Sequence, residues 1–163
     1  AVEEVCGLRA RVKWPNDVWS RGRKMGGVLT ETRLAGQRTL AIVSGIGINV
    51  VATPDSGPPQ AFQATCLQAE GAPSALPPAV IAGALEWLSR LVSPEGRPDS
   101  EAVLRCFAQT DLLRGRPMEA TVSGETVRGV AAGVDSEGRL LVRDEMGGAH
   151  ALPTAALKVR PLG

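Results

Sequence analysis

Six apolar residues in the middle of the chain, Val80, Ile81, Ala84, Leu85, Leu88 and Leu91, recur at helical spacing, whereas β-type runs are found between Arg9 and Val50 and again between Pro117 and Leu152. That arrangement predicts an α+β chain whose central helix presents one apolar face to a sheet. Upstream, Arg9 to Trp14 reads as a strand that stops at Pro15, which cannot donate to a ladder and holds Trp14 extended. Asn16 and Asp17 then fall in a turn. Lys24 to Thr32 reads as a second strand, Ala35-Gly36-Gln37 as a hairpin loop, and Thr39 to Val50 as a third strand. Three consecutive strands predict an antiparallel meander. The continuous apolar run Leu40-Ala41-Ile42-Val43 predicts that both faces of the third strand are covered.

Ala52 to Pro59 is rich in proline and glycine and reads as a loop. Thr65 is placed to cap a short helix that Gly71 stops, and Asp99 to cap another running through Val103, Leu104 and Phe107. After Leu112 the pattern changes. Pro117 to Val122, Thr126 to Gly133, Arg139 to Arg143 and Ala149 to Leu152 read as strands joined at Ser123-Gly124, Asp135 to Gly138 and Gly147-Gly148, which suggests a small barrel. The expected division is therefore 1–112 and 113–163. The first residue is Ala1, and Val2 to Gly7 reads as the last turn of a helix with a glycine stop, so the natural chain is expected to begin further upstream.

Composition narrows the function classes. With 44% hydrophobic residues, 21% charged residues and a net charge of +1, the chain reads as a globular protein and not as a disordered tail or a polyanion binder. Arg21, Arg23 and Lys24 form the nearest approach to a basic patch and are too few to steer nucleic acid. Cys6, Cys66 and Cys106 lie far apart without metal or redox spacing, which fits a reducing cytosol. No apolar stretch is long enough to span a bilayer, so no membrane partner is expected and the localisation expected is cytoplasmic.

Three segments carry the chemistry: Lys13-Trp14-Pro15-Asn16-Asp17, then Arg23 to Glu31 (RKMGGVLTE), then Gly45-Ile46-Gly47-Ile48-Asn49-Val50. A G-x-G alone is weak, and here it leads into a loop instead of opening a helix, which argues against a dinucleotide fold. Asn16 and Asp17 admit two readings, a backbone-shaping Asx turn or ligand contact. Trp14 reads as core, and the only histidine, His150, as a surface residue of the barrel.

In their order and separation these segments resemble the biotin protein ligase family, which has a K-W-P-N-D turn, a K-x-x-G-I-L-x-E strand and a G-x-G-I-N strand. Ala64-Thr65-Cys66-Leu67 resembles the family's A-T-S-L, and Gly133 to Val142 resembles part of its C-terminal barrel. The resemblance implies a class II synthetase-like catalytic portion followed by an SH3-like barrel. It also implies ATP-dependent activation of biotin to biotinyl-5′-AMP, and transfer to a lysine of a biotin carboxyl carrier protein or domain.

By residue, the resemblance implies that Lys24 meets both the biotin carboxylate and the α-phosphate. Lys24, Gly27, Leu29, Gly45, Gly47 and Ile48 would form the biotin wall. Asn16, Asp17, Asn49, Thr65 and Arg160 would face ATP or the adenylate, and Asp17 and Asn49 would be ligands for Mg²⁺. Ala156 stands where one familiar form of the C-terminal segment has a glutamate, which weakens the assignment of Arg160. The family's G-R-G-R-x-G-R segment does not occur in these 163 residues, so the polypeptide alone is expected to be inactive. A homodimer is compatible with the apolar third strand. The rival readings are a lipoate ligase-like enzyme and a non-catalytic remnant that binds the acceptor domain.

Overall fold

The computed structural model describes residues 1–36, 38–53, 63–72, 74–75, 77–122, 124–154 and 157–162, with backbone only at Leu157, Lys158 and Arg160. Gln37, Ser123, Ala156 and most of the proline-rich loop, all named above, lie outside the described residues. The chain divides into two compact units, one of residues 1–11 and 16–86, the other of residues 12–15 and 87–163. The fold is α+β with antiparallel sheets.

The first unit opens with α1 (Val2–Cys6), closed by Gly7 at φ 66° as a left-handed C-cap, as the glycine stop predicts. After β1 (Arg11–Lys13) come β2 (Asp17–Ser20), β3 (Arg23–Ala35) and β4 (Arg38–Ile48); β2, β3 and β4 lie side by side in one antiparallel sheet. β2 departs from the turn expected at Asn16-Asp17, since the strand begins at Asp17 itself. The tight turn falls instead at Arg21 and Gly22, with φ of 45° and 79°, which is the left-handed pair that a two-residue hairpin requires. Leu8, Met25, Leu67, Ala72, Ala75 and Val80 form this unit's core.

Three expectations for this unit are corrected. β4 does not have both faces covered: Leu40, Ile42 and Val43 are 60%, 64% and 62% exposed. β4 is the last strand of its sheet. The apolar face of α2 (Pro77–Leu91) is buried only at Val80 and Gly83, while Ile81, Leu85 and Leu88 are exposed. Gly83 is the close approach, since a Cβ there would stand 2.6 Å from Val5 Cγ2 on α1. Finally, Thr65 to Gly71 is no helix. Its backbone is taken up by the strands: Thr65 N–H donates to Lys24 O (2.8 Å), Leu67 N–H to Asn49 O (2.9 Å) and Gln68 N–H to Val50 O (3.0 Å). Tertiary ladder bonds win over a weak local propensity here.

In the second unit, α3 (Ser100–Thr110) begins as predicted, with the Asp99 carboxylate accepting the Ala102 N–H at 2.9 Å. A five-stranded antiparallel sheet follows, with β5 (Pro117–Val122), β6 (Glu125–Val134), β7 (Leu140–Arg143), β8 (Ala149–Leu152) and β9 (Leu157–Pro161) in the order β8-β7-β6-β5-β9. β9 was missed by the sequence reading. Alternation sets the core: Met118 and Ala120 of β5 and Leu140 and Val142 of β7 point inward. Trp14 joins them, 3% exposed, with its indole N–H donating to Gly138 O at 2.9 Å. No described helix is long and apolar enough to cross a membrane.

Candidate active site

The register of the first sheet builds the site. Asp17 of β2 lies opposite Gly27 of β3, and across the next ladder Gly27 faces Gly47 and Leu29 faces Gly45 of β4. A bulge between Val18 and Trp19 shifts the pairing so that Trp19 lies opposite Lys24. Lys24 Nζ meets Asp17 Oδ1 at 2.5 Å, and the two side chains are 30% and 17% exposed. Asn16 is stitched to β3 twice: its side-chain amide donates to Val28 O at 2.7 Å, and its carbonyl accepts the Val28 N–H at 2.9 Å. Asn16 thus shapes the backbone and Asp17 meets the cation.

These residues line an open cleft of about 490 Å³ whose floor is Gly27, Gly45 and Gly47 and whose walls include Lys24, Asp17, Asn16 and Leu29. Glycine is not required at all three positions for the same reason. At Gly27 a Cβ would press on Asn16 O at 3.2 Å, but at Gly45 and Gly47 its nearest contact would be 3.9 Å away. Backbone packing therefore leaves room for a side chain at Gly45 and Gly47, and what their missing side chains provide is the open floor of the cleft. Gly26 is the glycine that packing demands: a Cβ there would stand 2.2 Å from Gly47 O. Val28 and Ile46, which are not among the residues expected from the sequence, also line the cleft.

Three other anticipated residues, Ile48, Asn49 and Thr65, are not among those that line the cleft. Ile48 packs on the first unit's core and lines a separate groove of about 430 Å³ between β4 and α2. The Asn49 side-chain amide donates to Thr65 O at 3.0 Å. Thr65 is 1% exposed, and its hydroxyl donates to Glu70 Oε1 at 2.6 Å. Arg160 lies on β9 in register with Glu119, and its side chain is outside the described residues. Glu70 was not singled out from the sequence. It is completely buried, with Arg23 Nη2 at 2.8 Å. The signal available for it was an acidic residue directly before the Gly71 stop.

The model of the Biotin/lipoate A/B protein ligase family matches residues 3–49, the segment that builds the cleft. The biotin–[acetyl-CoA-carboxylase] ligase of Paracoccus denitrificans is 31% identical over 161 residues, covering 87% of this chain and 61% of that protein. The chain is thus similar to biotin protein ligases. The bifunctional ligase/repressor BirA of Bacillus subtilis is 29% identical over 90% of this chain and 45% of its own length. The chain thus spans about half to three fifths of the length of these curated relatives. In fold, it matches the apo biotin protein ligase of Aquifex aeolicus with a TM-score of 0.77 at 22% identity, over 99% of this chain and 69% of that one. The same enzyme in complex with biotin and ATP matches with a TM-score of 0.75 at 24% identity, over 99% and 66%.

Proposed function

We propose that this chain supplies one wall of a biotin protein ligase active site, on which biotin is activated by ATP and passed to a lysine of a biotin carboxyl carrier protein or domain. The observation that carries the reading is the Lys24 ammonium standing over a cleft floored by Gly27, Gly45 and Gly47. In the first step a biotin carboxylate oxygen attacks the α-phosphorus of ATP, and pyrophosphate leaves with the bonding pair. Both reactants are anions, so a cation fixed between them lowers the barrier by offsetting charge as it redistributes. Lys24 is the catalytic residue we assign to that task. An ammonium has three donors, enough to keep the Asp17 carboxylate and to meet incoming oxygens. In the second step the acceptor amine attacks the acyl carbon and AMP leaves.

The flat ureido ring is assigned to the floor at Gly27, Gly45 and Gly47, with Leu29 as apolar wall and Ile48 behind it. Asn16, Asp17, Asn49, Thr65 and Arg160 remain the candidates for the nucleotide side. Asp17 offers one carboxylate, and among the described residues no three histidine, cysteine or acidic side chains gather to hold an ion by themselves. That donor set fits a Mg²⁺ that arrives on nucleotide oxygens, with Asp17 and Asn49 as its protein contacts, where it would neutralise phosphate charge. The Lys24–Asp17 pair is itself neutral and cannot alone offset a triphosphate. As the family's G-R-G-R-x-G-R segment does not occur in the 163 residues, we expect the isolated polypeptide to form no biotinyl-adenylate.

The functional partition we propose is a catalytic part over 1–112 and an SH3-like barrel over 113–163, in a cytoplasmic protein. Calorimetry with biotin on the full-length gene product tests the reading. Binding abolished by Lys24→Ala, with adenylation slowed about 10²-fold or more, supports it. Indifference to biotin in the unsubstituted protein rejects it.

A further inference from the structure

We propose that Glu70 is a positioning residue for this site, holding Lys24 and Asn49 in one frame by way of Thr65 and Arg23. The inference rests on the ligase reading for its consequence in catalysis, but its geometry stands alone. The Glu70 side chain has no exposure, and a carboxylate taken wholly out of water persists only where donors surround it. Oε1 accepts from Thr65 Oγ1 at 2.6 Å and meets Arg23 Nη2 at 2.8 Å, while Oε2 faces Arg21 Nε at 3.8 Å and Ser20 Oγ at 3.5 Å. One carboxylate therefore clamps the turn that joins β2 to β3 and the segment that follows residue 63.

Those two points of attachment flank the proposed catalytic lysine. Arg23 immediately precedes Lys24. The Lys24 N–H donates to Gln63 O at 2.9 Å, and Lys24 O accepts the Thr65 N–H at 2.8 Å, so Lys24 is bracketed on both sides by the segment that Glu70 holds. Asn49 is bracketed as well: its N–H donates to Met25 O at 2.8 Å, its carbonyl accepts the Leu67 N–H at 2.9 Å, and its side chain donates to Thr65 O at 3.0 Å. Thr65 is thus the shared tie between the two residues, and Glu70 fixes its hydroxyl. A misplacement of an ångström at a charge of this kind is enough to slow chemistry severely.

The chain has only three lysines, Lys13, Lys24 and Lys158, so ¹³C-dimethylation gives a spectrum in which the Lys24 methyl signal can be assigned by Lys24→Arg. The variants are Glu70→Ala, Glu70→Gln, which keeps an oxygen for Thr65 and loses the charge for Arg23, and Thr65→Val. The expected result is a displaced or broadened Lys24 signal in Glu70→Ala and Thr65→Val and a smaller change in Glu70→Gln. In the full-length protein, kcat for adenylate formation should fall about 10-fold or more, with KM for biotin changing much less. A purely structural Glu70 would lower the melting temperature and leave the Lys24 signal and kcat as in the unsubstituted protein; that outcome in Glu70→Gln and Thr65→Val overturns the proposal, even if Glu70→Ala does not fold. If the unsubstituted full-length protein forms no adenylate, the ligase reading fails, and the Lys24 signal still decides the role of Glu70.

Discussion

A Cβ placed on Gly26 would stand 2.2 Å from the carbonyl oxygen of Gly47, whereas one placed on Gly47 would find nothing nearer than Gly27 O at 3.9 Å. Two glycines on adjacent strands thus do opposite work. Gly26 lets β3 and β4 close on each other, and Gly47 keeps the cleft floor bare. Gly26→Ala is expected to destabilise the fold by at least about 1–3 kcal/mol, because the obstructing atom is backbone and cannot swing away. Gly47→Ala should leave stability within about 1 kcal/mol and weaken biotin binding. Thermal melts set beside biotin titrations on the full-length protein separate the two, and equal losses of stability would dissolve the distinction.

The role proposed for Lys24 asks for more than charge. An ammonium is a compact point charge with rotatable donors, whereas a guanidinium is a wide planar fork, and Asp17 meets the Lys24 nitrogen at 2.5 Å beside a floor with no side chains. Lys24→Arg is therefore expected to fall short of restoring activity by about 10-fold or more, despite keeping the positive charge. Adenylate formation by the full-length variant measures this. Full activity in Lys24→Arg would mean that only the net charge of the cleft matters.

The parts of this site that were legible in the sequence are those where a residue type is tied to one local geometry. Lys24, Gly27, Gly45 and Gly47 fall together in the cleft because a β-ladder with a two-residue turn leaves little freedom of register once Asp17 and Gly27 are opposed. Strand β2 was hidden because Asn16-Asp17 is a turn signal and the residues that make the turn, Arg21 and Gly22, lie past it. The burial of β4 was misjudged for another reason. Leu40-Ala41-Ile42-Val43 announces what the strand can bury, and an apolar run carries no information about which surface comes to cover it. Thr65 looked like a helix cap because its hydroxyl suits one, yet the hydroxyl found a carboxylate five residues on, a contact that depends on how Arg23 is placed by a different strand.

Acid should loosen the turn between β7 and β8 as Asp144 is protonated. Asp144 is held below the usual carboxylate range, first by its bond to His150 Nε2 at 2.7 Å and next by the Gly148 N–H at 2.7 Å. A carboxyl whose pKa is lowered by folding stabilises the fold above its unfolded value, and that stability is lost as pH falls through the lowered one. The window thus opens beneath the ordinary carboxylate range. Amide exchange at Met146 and Gly148 followed downward in pH should accelerate there, and Asp144→Asn should flatten the response.

Trp14 belongs to the family-like K-W-P-N-D string, but its ring works as core. It is 3% exposed among Leu113, Met118 and Leu140, and its N–H is spent on Gly138 O. Trp14→Phe should cost about 1–3 kcal/mol through the lost hydrogen bond and volume, and Trp14→Ala about 3–5 kcal/mol. Chemical denaturation of the 163-residue chain measures both. A loss confined to biotin binding, with stability intact, would argue against Trp14 as a core residue.

An apolar edge also governs how the chain behaves in isolation. β4 ends its sheet with Leu40, Ile42 and Val43 all more than half exposed, and Leu34 on β3 is 62% exposed beside them. β4 carries no charge after Arg38; an exposed edge without a central charge is open to pairing with another strand, and a single charge in its centre is the device by which natural edges prevent that. We therefore expect the 163-residue chain to sediment as dimers or larger species at micromolar concentration. Ile42→Lys, opposite Thr32 in the ladder, should restore the monomer with an unchanged far-ultraviolet dichroism spectrum. Association that persists in Ile42→Lys would shift the contact to the exposed apolar residues Ile81 and Leu85 on α2, where Ile81→Lys would then be the variant that disperses it.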